Sequence, residues 1–209
     1  MGRLATRRQL LAGAVAGAGS GAAVAGSGAV VAAGVAVVAD PALADAPVTD
    51  AQALSKALEV ERLMVLAYRR VLSSGTLAPD VERAIAPHLR HEIEHASAVA
   101  AALAAIGAVG TTAPLDLEAA GAALSKHKIP GSLTDLHSEN DSMRLLVDLE
   151  SVAEGVYFTA LKTLSTAALQ RLAAQIMACE AQHWTAVSGL RNPGEYVKAV
   201  PWPFVTGSS

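Results

Sequence analysis

Two stretches decide how this chain folds: His88-Leu89-Arg90-His91-Glu92-Ile93-Glu94-His95 and Ile176-Met177-Ala178-Cys179-Glu180-Ala181-Gln182-His183. Each contains Glu-x-x-His. Three residues are just under one helical turn, so the carboxylate and the imidazole share a helix face and can reach a single ion. Each stretch also lies within an apolar line recurring at steps of three and four, the period of an amphipathic helix. One line runs Val81, Ile85, His88, Glu92, His95, Val99, and the other Ile176, Glu180, His183, Val187.

The segment before each stretch has the same character. Leu54, Leu58, Glu61, Val65, Tyr68 and Leu72 form one line, and Met143, Val147, Glu150, Glu154, Tyr157 and Leu161 form another. Tyr68 follows Glu61 by seven residues, as Tyr157 follows Glu150. The halves repeat: Glu61 and Glu150, like Tyr68 and Tyr157, are 89 residues apart, and Glu92 and Glu180, like His95 and His183, are 88 apart. Folded about a pseudo-twofold axis, the two pairs would bring four carboxylates and two imidazoles to one level of a core.

The periodicity predicts four long helices, over residues 50 to about 74, 81 to about 106, about 136–164 and about 166–190. Pro79-Asp80 opens the second, while Ser73-Ser74-Gly75, Gly107 with Gly110, and Asn192-Pro193-Gly194 act as stops. Residues 107–131 are rich in Gly, Pro and Thr, with one short helical candidate at 115–125. That length suits a crossover along a bundle, which lets the third helix lie parallel to the second. No strand alternation is convincing. The expected fold is all-α, an antiparallel four-helix bundle with a long crossover between helices 2 and 3. The tail, residues 195–209 with Pro201-Trp202-Pro203-Phe204, reads as an ordered apolar strap over the bundle and not as a fifth helix.

Composition agrees and excludes alternatives. The 209 residues are 52% hydrophobic but only 3% aromatic, the Ala- and Leu-rich balance of helices. A net charge of −3 leaves no basic surface for nucleic acid. Cys179 is the only cysteine, which rules out an intramolecular disulfide, a Cys-rich zinc site and a four-Cys iron–sulfur module.

Residues 1–44 read as an export signal and are set aside from the fold. Arg3, Arg7 and Arg8 give a positive start, no charge appears from Gln9 to Ala39, and Ala42-Leu43-Ala44 forms a small-x-small cleavage site. Thr6-Arg7-Arg8-Gln9-Leu10-Leu11 resembles the twin-arginine motif. The rival reading is an uncleaved membrane anchor, since the uncharged run is long enough to cross a bilayer. The domain proper is then 45–209, exported to a periplasmic or other extracytoplasmic space.

A carboxylate buried in hydrocarbon must be protonated, paired or metal-bound. No Lys or Arg occupies the four lines, so pairing with buried cations is disfavoured. Several neighbours compete for roles. Glu154 lies one turn beyond Glu150 on the same line, and the tyrosine spacing favours Glu150. Glu59 competes more weakly with Glu61, because its face also carries Arg62. His88 could be a core histidine, an extra ligand or a partner to one. His91 and Glu94 point off the line and read as surface residues, Cys179 as a small packing residue, and Trp184 and Phe158 as core.

The full pattern resembles the ferritin-like superfamily of di-iron carboxylate proteins, whose members draw one Glu from helix 1, Glu-x-x-His from helix 2, one Glu from helix 3 and Glu-x-x-His from helix 4. Glu61, Glu92, His95, Glu150, Glu180 and His183 fill every position, and the resemblance covers about residues 50–190. It implies that Glu92 and Glu180 bridge two metal ions, with Glu61 and His95 completing one and Glu150 and His183 the other. It also places Tyr68 and Tyr157 where family members keep tyrosines that hydrogen-bond the ligand carboxylates.

Such ligands suit two Fe or Mn ions, with Zn as a further option. The resemblance implies reaction with dioxygen or peroxide, of ferroxidase or peroxide-scavenging type. The other readings are a metal-holding protein without turnover and a structural bundle linked to envelope stress. A storage cage is disfavoured because a Pro-rich tail replaces the C-terminal helix that cages use. The partners implied are metal ions, dioxygen or peroxide, the twin-arginine export machinery and a second copy of the chain in a homodimer.

Overall fold

The computed structural model describes residues 48–200 and 206–207 of the chain. The proposed signal at 1–44 and Pro201-Trp202-Pro203-Phe204 of the tail lie outside the described residues. Among those described, six α-helices and no strands are present: α1 Val48–Ser73, α2 Pro79–Ala105, α3 Leu117–Lys126, α4 Glu139–Thr163, α5 Ala167–Arg191 and α6 Tyr196–Ala199. None is long and apolar enough to cross a membrane.

Caps fix the ends. Ser138 accepts from the Asp141 amide and Thr166 from the Leu169 amide, each satisfying a donor that the first turn leaves free. The Ser138 cap explains why α4 starts at Glu139 and not near 136. Asp116 caps α3 in the same way, accepting from Ala119 N at 2.7 Å. α2 opens on Pro79, where a missing amide costs nothing, and continues through Pro87 on its exposed side.

Hydrogen bonds between helix ends give the directions. Ala78, just before α2, donates its amide to Glu139 at the start of α4, so α2 and α4 begin at the same end of the bundle. Asp50 at the start of α1 accepts from Ser165 just after α4, so α1 and α4 run antiparallel. Arg191 at the end of α5 donates to Asn140 at the start of α4, so these two are antiparallel as well. The crossover at 106–138 carries α3 and is pinned along α1: Arg62 donates to the Ala113 carbonyl, Arg70 to that of Leu133, and Lys126 pairs with Glu59 at 2.9 Å. Buried Ile129 and Leu133 seat it. The expected parallel crossover is therefore present.

The core is aliphatic, built from residues such as Leu54, Leu63, Met64, Ile85, Leu103, Leu146 and Leu149. Phe158 and Trp184, expected in it, are only half-buried, and Lys162 Nζ lies 3.9 Å above the Phe158 ring. The described tail forms one helical turn, α6, against α5. Gly207 then returns to α4, so close that a Cβ there would collide with the backbone of Ser151, Glu154 and Gly155.

Candidate metal centre

The four helices meet at mid-height around polar side chains where the apolar lines lead one to expect hydrocarbon. Glu61, Glu92, Glu150 and Glu180 are fully buried, and His183 is 2% exposed. The donor atoms fall into two overlapping groups, each spanning no more than 4.8 Å: Glu61, Glu92, His95 and Glu180 in one, and Glu92, Glu150, Glu180 and His183 in the other. Glu92 and Glu180 belong to both. All six residues expected from the sequence come together, and Glu150 joins the group while Glu154, though buried, does not.

Both imidazoles turn Nδ1 inward. His95 Nδ1 lies 2.8 Å from Glu180 Oε1, and His183 Nδ1 lies 2.8 Å from Glu92 Oε1. These contacts are close but not aligned as hydrogen bonds. Six carboxylate oxygens (Glu61 Oε2, both of Glu92, Glu150 Oε2 and both of Glu180) and the two Nδ1 atoms are buried without a hydrogen-bond partner. Buried polar atoms are nearly always partnered, so eight orphans converging on one spot fit a missing cation.

The remaining oxygens are held by the tyrosines, in a crossed arrangement. Tyr157 on α4 donates to Glu61 Oε1 on α1, and Tyr68 on α1 donates to Glu150 Oε1 on α4. Each tyrosine thus orients the carboxylate of the opposite half. Burial raises both phenols well above their ordinary value, so they stay protonated donors. His88 Nδ1 lies 3.2 Å from Tyr68 OH, and its ring stacks 4.2 Å from that of His183. Since the phenolic proton goes to Glu150, His88 Nδ1 donates. Burial, then His183 and His91, lowers His88 to about 4, which keeps it neutral.

Electrostatics describe a centre that holds protons when it holds nothing else. Burial, with the charges of Glu180 and Glu92 adding, raises Glu61 well above the carboxylate range, and burial with Glu92 and Glu180 does the same for Glu150. Burial would raise Glu180 too, but its close contacts with His183 and His95 prevail and hold it at about 2. Burial opposes charge on His95 and His183, yet contact with Cys179, Glu180 and Glu92 raises both, His183 to about 12.

Two neighbours differ from expectation. His91, read as a surface residue, is half-buried, and its Nδ1 lies 2.9 Å from His183 Nε2. Cys179 lies 3.5 Å from the same nitrogen, a polar contact as well as packing. Helical spacing hid His91, which another helix brings to His183, but the four-residue step from Cys179 to His183 could have flagged the thiol; the repeat that aligns Glu92 with Glu180 also aligns His91 with Cys179, 88 residues apart. Glu94 is exposed and faces Arg90 at 3.7 Å, as a surface residue should. Glu59 pairs with Lys126 and not with Arg62.

The sequence model of the ferritin-like domain family matches residues 49–193. The chain belongs to that family. Among solved structures this ferritin-like protein resembles a conserved hypothetical protein, rv2844, from Mycobacterium tuberculosis, at 21% identity and a TM-score of 0.57, covering 75% of this chain and 94% of the other. That likeness concerns the fold. No curated protein matches the chain. For a ferritin-like domain, the buried Glu and His clusters are groups that could hold metal ions.

Proposed function

We propose that the six residues hold two divalent cations, iron or manganese, bridged by Glu92 and Glu180, and that the centre reacts with dioxygen or peroxide. The observation that carries this reading is the convergence of eight buried donor atoms without a hydrogen-bond partner, supported by charge. Four carboxylates with neutral imidazoles bear four negative charges, which two divalent ions balance. The mixed carboxylate and imidazole set suits Fe(II) or Mn(II).

When bound, such ions would supply the electrons that reduce a small oxidant. The chain's own residues do the rest. Glu61 and His95 would hold one ion and Glu150 and His183 the other, while Tyr157 and Tyr68 fix the orientation of Glu61 and Glu150. Full burial of all four carboxylates favours a diatomic molecule or peroxide over an organic substrate. The side chain of His95, 13% exposed, marks the more open side, facing the seam between α2 and α5. Loading must displace the protons held by the raised groups, so apparent affinity rises with pH. The export reading stands apart from the centre and is carried by Arg7, Arg8 and the Ala-x-Ala site alone.

The test is Fe(II) oxidation by hydrogen peroxide, followed by stopped flow in the parent and in the isosteric Glu92→Gln, Glu180→Gln double variant. We expect saturable oxidation in the parent, slowed about 100-fold or more in the variant. Equal rates in the two proteins would overturn the reading.

A further inference from the structure

On the far side of His183, away from the carboxylates, the seam between α2 and α5 gathers a second set of ligating atoms. His91 Nδ1 lies 2.9 Å from His183 Nε2, and Cys179 Sγ lies 3.5 Å from that same nitrogen. All three atoms fall within 4.8 Å of one another. The His91 and His183 rings are nearly parallel, 9° apart with centroids at 5.2 Å. His91 and Cys179 are half-buried, so an ion reaches them from the surface without crossing the core.

The spacing is close to what coordination requires. A tetrahedral zinc with ordinary bond lengths sets its nitrogen ligands about 3.3 Å apart and a nitrogen and sulfur about 3.5 Å apart. The thiol already satisfies the second distance, and the two imidazoles need to part by only about 0.4 Å. The donor chemistry differs from that of the inner centre. One thiolate and two imidazoles select Zn(II) or Cu(I), whereas four carboxylates suit harder ions. The His183 ring thus divides two donor sets of different hardness.

We propose that His91, Cys179 and the outer nitrogen of His183 form a separate mononuclear site for a thiophilic cation, Zn(II) or Cu(I), with solvent in the remaining position. Binding releases the Cys179 thiol proton and the proton that His183 carries on Nε2. With the inner centre empty, His183 keeps its own proton on Nδ1. With the inner centre filled, that proton leaves too, and the ring links the two centres. The site goes beyond the paired centre and does not depend on it.

The test is titration of metal-free, full-chain protein with Co(II), a spectroscopic stand-in for Zn(II). Carboxylate and imidazole ligands give no sulfur-to-cobalt charge-transfer band in the near ultraviolet, so that band reports Cys179 alone. We expect a band that saturates, bleaches when Zn(II) is added, and is absent in Cys179→Ser. His91→Ala should raise the dissociation constant by at least about tenfold. The Glu92→Gln, Glu180→Gln variant should keep the band, which separates this site from any failure of the paired centre. No band in a parent whose circular dichroism shows it folded, a band that His91→Ala leaves at parental affinity, or its loss in the glutamine variant would each overturn the proposal.

Discussion

Among the described residues, buried carboxylates fall into three kinds, and their neighbours decide which. Asp50 is fully buried and accepts from Ser165 N at 2.9 Å and Ser165 Oγ at 2.6 Å, so its charge is met by dipoles. The four carboxylates of the centre face one another and two imidazoles. Glu154 stands between these cases, since burial, with the charge of Glu180 adding, lifts it from the ordinary 4.5 to about 7. Folded protein therefore holds this proton more tightly than unfolded protein does. Stability is unaffected below about 4.5, falls as pH rises towards 7, and remains lowered above it, by at most about 3 kcal/mol. Glu154→Gln, which has no charge to bury, should gain stability over the metal-free parent at pH 8 and gain little at pH 4. Urea unfolding at the two pH values measures this, and an equal difference at both would contradict it. The sextet and the tyrosine pair were legible at this scale, because Glu and Tyr on an apolar line stand out. His91 and Cys179 were not: each lies off its helix's apolar line, and while Cys179 meets His183 from one turn back on α5, only the packing of α2 against α5 brings His91 to that ring.

Helix ends decide which element lies beside which. The Asp50 bonds to Ser165 join the start of α1 to the α4–α5 turn. Asp50→Ala would remove the hydrogen bonds to the Ser165 amide and hydroxyl, at a cost of about 1–3 kcal/mol for the two. A lower melting temperature with retained helicity is the expected result, measured by circular dichroism, and an unchanged melting temperature would show that solvent replaces the carboxylate there. Helix spans were readable from periodicity because the long helices bury one face along their whole length. The start of α4 was less so, since Leu136 continues the apolar rhythm while Ser138 supplies the cap. The half-exposure of Phe158 and Trp184 was also hidden, because aromatic character does not tell a ring's edge from its face.

At the scale of the whole molecule, two similar helix pairs enclose one polar level. Glu61 and Tyr68 answer Glu150 and Tyr157, and each tyrosine reaches across to the other pair, so neither half satisfies its buried carboxylate alone. The halves differ around that level. Ile176 stands where the repeat would place a match for His88, and Cys179 where it would match His91. One side is thus enriched in imidazoles, all against His183, and the inferred outer site lies there. The repeat of 88 or 89 residues and these departures from it are both visible in the sequence, whereas the contact of His91 with His183 needed the packing of α2 against α5.

The central claim is that two ions share Glu92 and Glu180. Anomalous diffraction from crystals of protein loaded anaerobically with Mn(II) tests it most directly. The account predicts two peaks between the four helices, one bonded to Glu61 and His95, the other to Glu150 and His183, and both touching Glu92 and Glu180. A single peak, or density confined to the surface with these carboxylates left empty, would contradict it.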